Sequence, residues 1–215
     1  MKVVAIDGPA GAGKSTVARL VAERLGIPFL DTGAMFRAVA VTAASRGVDP
    51  EDGSAVALIA RSIDIDVDGD RTTVDGTDVS AAIRTQETNR IVSIVARHAG
   101  VRDVLRARQR DWMSARGAGV VEGRDISTVV FPDACLKIFL TASADERAVR
   151  RVAQSGGLVA DVAAQIRERD HLDSTRQIAP LAVAADAVVI DSTGRTVDEV
   201  VAEIADRFGG HCGGR

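Results

Sequence analysis

The 215-residue chain is predicted to fold as an α/β protein on a doubly wound parallel sheet of five strands. Three observations predict this. Short, continuously apolar runs recur along the chain, as strands buried on both faces of a parallel sheet require. Stretches with helical spacing of apolar residues separate these runs, giving the strand–helix alternation of such a sheet. The first run also passes directly into a glycine-rich turn and a helix, the arrangement with which open α/β sheets hold phosphate groups.

Val3-Val4-Ala5-Ile6-Asp7 forms the first strand, and Gly8-Pro9-Ala10-Gly11-Ala12-Gly13-Lys14-Ser15 follows it, matching G-x-x-x-x-G-K-[ST]. The glycines let the backbone curl so that several N–H groups face one anion. Lys14 is suited to bridging β- and γ-phosphates, and the Ser15 hydroxyl to holding Mg²⁺. A helix opening here, with Thr16 in its first turn, adds the positive end of its dipole. The loop from Gly8 to Thr16 is therefore expected to bind a nucleoside triphosphate. A ligand-free glycine turn is the alternative, and the full eight-residue match in its strand-to-helix setting argues against it.

The helix is expected from Ser15 to about Leu25, on the apolar stripe Val17, Leu20, Val21 and Leu25, with Gly26 as its stop. Pro28–Asp31 is a short second strand. Gly119–Glu122, Leu136–Leu140 and Ala187–Asp191 complete the five. A last helix, about Val197 to Phe208, buries Val197, Val200, Val201 and Ile204, and the Gly-rich tail Gly209–Arg215 is expected to be disordered. Two segments break the rhythm. Residues 32–116 are too many for one crossover; within them Ile63–Val67 and Thr72–Asp75 flank a Gly turn, which reads as a hairpin. Gln154–Ala160, with Ser155-Gly156-Gly157 between two charged helical stretches, is a Gly-hinged candidate lid.

Bulk properties exclude several classes. A net charge of −3 and a pI near 5.7 argue against a general nucleic-acid surface. No apolar run is long enough to span a membrane, and no signal peptide precedes the first strand, so a cytoplasmic protein without membrane partners is expected. Cys135 and Cys212 lack metal-site spacing and read as two ordinary thiols, while His98, His171 and His211 are scattered. The 27 basic residues include three lysines only, so the placement of the arginines matters.

Polar clusters lie at the carboxyl ends of the predicted strands, where such sheets bind ligands. They are Asp31 to Arg37, Glu122-Gly123-Arg124-Asp125, and Asp145-Glu146-Arg147 with Arg150 and Arg151. Arg147, Arg150 and Arg151 share one helix face, where three cations repel unless an anion lies between them. Plain solvation is the other reading; the neighbouring phosphate loop favours a triphosphate. Arg169, Asp173 and Arg176 share a face if their helix continues that far, with a solvated i, i+4 salt bridge as the alternative. Arg102, Arg106 and Arg110 follow at i+4 steps, at least some of them as surface charge. Phosphoryl transfer suits this inventory, since it needs positioning and charge stabilisation more than acid–base chemistry.

Taken together, Leu30-Asp-Thr-Gly-Ala-Met35, Ile83-Arg-Thr-Gln-Glu87, Glu122-Gly-Arg-Asp125 with Thr128-Val-Val-Phe-Pro-Asp133, and Ala179-Pro-Leu181 after Arg176 resemble bacterial cytidylate kinases, nearly end to end. The resemblance implies transfer of a phosphoryl group from ATP, with Mg²⁺, to CMP or dCMP, by a protein expected to be a monomer. It implies a core of residues 1–31 and 117–215, a short lid at about 151–161, and a monophosphate-binding insertion at 32–116. Thr32, Arg37 and Arg124 would contact the CMP phosphate. Ser93, Arg102 and Asp125 would face the cytosine, a carboxylate being a suitable acceptor for its exocyclic amine. Arg169, Asp173 and Arg176 would lie near the ribose and the transferring group, and Lys14, Arg124, Arg147, Arg151 and Arg176 would act on the phosphoryl group in flight. Phe36 stands where the family has Tyr, which removes a hydroxyl. A GTPase switch would need Asn-Lys-x-Asp, and Lys137 follows Leu136. A kinase for another small acceptor, or a non-catalytic nucleotide-binding module, are the remaining alternatives.

Overall fold

A computed structural model describes residues 1–212, with the side chains of 154 and 155 left aside. The chain divides into two compact units, Met1–Phe29 with the residues from Arg116 onward, and Leu30–Ala115.

In the first unit β1 (Lys2–Asp7), β6 (Ala118–Gly123), β7 (Leu136–Thr141) and β8 (Val188–Asp191) are joined at the edge by β2 (Phe29–Asp31), in the order β2-β6-β1-β7-β8. The sheet is parallel throughout, with Val4 opposite both Val120 and Leu136. All five strands predicted from apolar runs are present. Helices α1 (Lys14–Leu25) and α8 (Val197–Cys212) cover one face. Their Val17, Val21, Val200, Val201 and Ile204 pack on Val4, Ile6, Val120, Ile138 and Leu140. Burying each such side chain is worth about 2 kcal/mol, which anchors α1 and the loop before it. Gly26 ends α1 as expected: at φ 64° its N–H bonds the carbonyls of Ala22 and Glu23. Helices α6 (Ala144–Ser155) and α7 (Val159–Thr175) form a hairpin, closed by Ala148, Val162, Ala163 and Ile166.

The C-terminal segment corrects two expectations. Helix α8 does not stop at Phe208 but runs to Cys212, whose side chain is buried. Nor are the cysteines separate thiols: Cys212 is disulfide-bonded to Cys135, just ahead of β7, with their Cα atoms 5.6 Å apart. Spacing could not reveal this, because 77 residues separate the two. Residues 213–215, the rest of the expected disordered tail, lie outside the described residues. The expected lid loop is also mostly helix: only Gly156, Gly157 and Leu158 separate α6 from α7, with φ positive at both glycines. No helix among the described residues is long and apolar enough to cross a membrane.

In the second unit the predicted hairpin is present as β3 (Ile65–Asp68) and β4 (Arg71–Val74), antiparallel with Ile65 opposite Val74. A third strand, β5 (Thr77–Asp78), extends it through an Asp75-Gly76 turn in which Asp75 has φ 50°. Two polar residues give no strand periodicity, so sequence reading passes over it. Helices α2 (Thr32–Ser45), α3 (Gly53–Ser62), α4 (Gln86–Val95) and α5 (Ala99–Arg116) make up the remainder.

Candidate active site

The glycine-rich loop leaves the carboxyl end of β1, the central strand of the first unit, and enters α1. Close approach explains Gly8: a Cβ there would stand 2.0 Å from the carbonyl oxygen of Leu140. Gly13 caps α1 at φ 87° and supplies no side-chain hydrogen bond, so the first-turn N–H groups of Lys14, Ser15 and Thr16 lack a side-chain acceptor. Ser15 is exposed at this opening and Thr16 half-buried. The loop thus presents backbone donors at a positive dipole end, a seat for an anion.

Lys14 is 5% exposed, and its ammonium donates to the Pro9 carbonyl at 2.8 Å. Burial, reinforced by the cations of Arg124 and Arg169, lowers its pKa to about 7, against the pull of Glu122 and Asp173. Arg124, at the end of β6, donates through Nε to Asp173 Oδ2 at 2.8 Å. Burial alone would weaken its charge, but Asp173, Glu122 and Asp170 raise its pKa. Asp173 is buried too, yet Arg124, Arg169 and Arg176 hold its carboxyl below the usual range. Arg176 reaches Asp125 at 3.5 Å and Asp173 at 3.9 Å. Helix α7 ends at Thr175, so Arg176 is not on the helix face expected for it; its backbone is extended, and its Nε donates to the carbonyl of Ala179. The structure therefore gathers Lys14, Arg124, Asp125, Arg169, Asp173 and Arg176 into one network. The solvated i, i+4 reading of Arg169 and Asp173 does not describe it, since Asp173 is buried and paired with Arg124.

The arginines of α6 are placed differently. Arg147, expected to act on the transferring group, is 8% exposed and donates to the carbonyls of Ala142 (3.1 Å) and Ala10 (3.0 Å) and to Asp170. Arg150 pairs with Glu146 and bonds both Ser192 oxygens. Arg151 is half-buried one turn after Arg147.

Two acidic residues, Asp7 and Asp170, escaped the sequence reading, and a third, Glu122, stood in a polar cluster there without a role of its own. Asp7, fully buried at the end of β1, accepts from the N–H groups of Ile126 and Ser127 at 2.8 and 2.7 Å and from the Ser127 hydroxyl. Burial raises its pKa; the Ser127 and Ile126 donors oppose this and Asp125 adds to it. Glu122 is buried near Lys14, and Asp170 accepts from the Ala10 N–H at 3.0 Å. A carboxylate directly before the phosphate loop was the one available signal, for Asp7.

Within the second unit, Asp31 caps α2 by accepting from Ala34, and Thr32 behind it is 3% exposed. A Cβ on Gly33 would meet an Arg37 guanidinium nitrogen at 2.9 Å, so Arg37 folds back over the start of α2. Arg102, 6% exposed, lies over the Phe36 ring at 5.4 Å and donates to the Ala96 carbonyl at 3.1 Å. Ser93 is buried on α4. Arg106 is surface charge, paired with Asp103.

A parallel sheet with a glycine loop and buried lysine at its carboxyl edge defines a phosphate-binding-loop α/β protein. A gluconokinase from Sinorhizobium meliloti 1021 shares this fold, with a TM-score of 0.51 and 14% identity over 97% of this chain and 91% of that one. The family model described as cytidylate kinase matches residues 4–209, and the chain belongs to that family. Cytidylate kinases from Shouchella clausii (strain KSM-K16) and Mycobacterium avium (strain 104) are both 48% identical to it, covering 94% and 95% of this chain and 94% and 93% of theirs. A bifunctional pantoate ligase/cytidylate kinase from Parasynechococcus marenigrum (strain WH8102) is 49% identical over 96% of this chain, which spans only 43% of that relative.

Proposed function

We propose that the chain transfers the γ-phosphoryl group of ATP to CMP or dCMP, giving ADP and CDP or dCDP. A phosphate oxygen of the monophosphate attacks the γ-phosphorus, the bond from that phosphorus to the β,γ-bridging oxygen breaks, and ADP leaves with the electron pair. The observation that carries this reading is the cationic network around Lys14, set at the mouth of an anion-binding loop. Charge spreads over the transferring oxygens in such a reaction, and preorganised cations stabilise it without acid–base chemistry.

Residues Gly8 to Thr16 hold the triphosphate, and Lys14 bridges its β- and γ-phosphates. Arg124 and Arg176 face the group in flight, with Arg151 assisting, and Asp173 keeps both guanidinia oriented. Arg169 and Asp173 serve the ribose end. On the family resemblance, Thr32 and Arg37 take the monophosphate together with Arg124, while Ser93, Arg102 and Asp125 take the cytosine. The exposed Ser15 hydroxyl is a hard oxygen donor of the kind Mg²⁺ takes alongside phosphate oxygens. Mg²⁺, when bound there, neutralises charge on the β- and γ-oxygens. Residues 32–116 act as the monophosphate-binding insertion and the α6–α7 hairpin as the lid.

A coupled ADP-release assay with ATP and Mg²⁺ across CMP, dCMP, UMP and AMP tests the proposal. CMP or dCMP is expected to be phosphorylated well and UMP and AMP poorly. No CMP-dependent signal, or faster turnover with AMP, overturns it in favour of another small acceptor.

A further inference from the structure

Both backbone polar atoms of Ala10, at the front of the phosphate loop, are held by side chains from the α6–α7 hairpin. Its N–H donates to Asp170 Oδ1 at 3.0 Å, and its carbonyl accepts from Arg147 Nη1 at 3.0 Å. The two side chains bond each other, and Arg147 Nε is anchored on the Ala142 carbonyl at 3.1 Å. A separate observation shows how closely the hairpin seats on this loop. A Cβ at Gly11 would come within 3.2 Å of the Arg147 Cβ and 3.4 Å of Ile166 Cδ1. Arg147 is nearly buried and its partner half-buried, so the contact is shielded from water.

We infer that Asp170 and Arg147 are positioning residues that set the phosphate loop for ATP. Neither needs to touch the nucleotide. The carboxylate fixes the direction of one loop N–H, and the guanidinium fixes the following carbonyl. The loop is then ordered before the triphosphate arrives, and less conformational freedom is lost on binding. Because one residue lies on α6 and the other on α7, the same contact ties the hairpin to the loop. Asn can still accept from Ala10 but loses the charge that holds Arg147; Lys cannot span three acceptors as the guanidinium does.

This inference rests on the loop's binding ATP, and its test does not involve the acceptor. Isothermal titration of the full chain with ATP and Mg²⁺ is run for wild type, Asp170→Ala, Asp170→Asn, Arg147→Gln, Arg147→Lys and the Asp170→Ala/Arg147→Gln double variant, alongside thermal melts and KM for both substrates. Asp170→Ala is expected to weaken ATP binding about tenfold or more, with Asp170→Asn intermediate and KM for CMP within about twofold of wild type. The double variant is expected to bind ATP no worse than the weaker single, since each change already breaks the shared clamp. Unchanged ATP affinity in Asp170→Ala, whatever its melting temperature, overturns the inference, as do additive losses in the double variant. Tighter ATP binding also overturns it, because the carboxylate then competes with phosphate. If Asp170→Ala does not fold, Asp170→Asn and Arg147→Lys decide on the same criterion. Wild type that binds ATP but leaves CMP unphosphorylated refutes the proposed reaction alone.

Discussion

Binding of ATP is expected to take up close to one proton at pH 8 and progressively less toward pH 6, with Lys14 as the group that receives it. In the ligand-free protein its pKa is about 7, because burial and the neighbouring guanidinium of Arg124 disfavour the ammonium. Lys14 is then about one-tenth protonated at pH 8 and about nine-tenths protonated at pH 6. A triphosphate seated against the ammonium reverses that preference and returns the pKa well above 8. The uptake is therefore about 0.9 proton at pH 8, where the nucleotide is already ionised and contributes little of its own. Titration calorimetry in buffers of different ionisation enthalpy counts the protons from the slope of apparent enthalpy. Lys14→Arg serves as the control, since a guanidinium stays charged throughout and takes up none. A slope near zero for wild type at pH 8, or an undiminished slope in Lys14→Arg, refutes the reasoning. The same shift governs ligand-free stability. Folded Lys14 gives up its proton near pH 7 and an unfolded lysine near 10.5, so between those values the unfolded chain binds more protons. Stability is therefore expected to rise with pH across this window, and Lys14→Met to remove that rise in melts at pH 7 and pH 9.

Three further outcomes are expected. Arg124→Ala lowers kcat by at least about 10²-fold, since it removes a preorganised cation, and leaves Asp173 with Arg176 as a partner; wild-type kinetics in a folded variant count against its role. Gly8→Ala places a Cβ 2.0 Å from a backbone oxygen, and is expected to cost about 3 kcal/mol or more, read by denaturant melts. Reduction of the disulfide, or Cys135→Ser, frees a segment spanning 77 residues in the unfolded chain. The chain-entropy account gives roughly 4–5 kcal/mol, so the melting temperature of that unit falls by roughly 10–20 °C. An identical melt with and without reductant excludes the cross-link.

What sequence reading reached is what short segments dictate. The phosphate loop is contiguous, and its glycines, Lys14 and Ser15 match the G-x-x-x-x-G-K-[ST] pattern by type and order alone. The five strands are continuous apolar runs, and Gly26 ends α1 because only a left-handed residue closes that turn cheaply. The helices between Thr32 and Arg116 and the polar strand β5 lacked a comparably clear local pattern. At the candidate site, the arginine clusters were visible, but not which of them face the loop.

The chain by itself thus determined the sheet, the loop and the inventory of candidate phosphate-binding side chains. Only the tertiary structure decided their partners. Asp170 meets Ala10 across 160 positions, Asp7 holds Ile126 across 119, and Cys135 finds Cys212 across 77. Contacts at such separations leave no periodicity behind, because strand and helix patterns record only which face of an element is buried. Arg147 shows the consequence. Its position on a helix face beside two other arginines suggested a cation for the moving phosphoryl group, and folding adds a contact that no helical pattern records, a hydrogen bond to the carbonyl of Ala10.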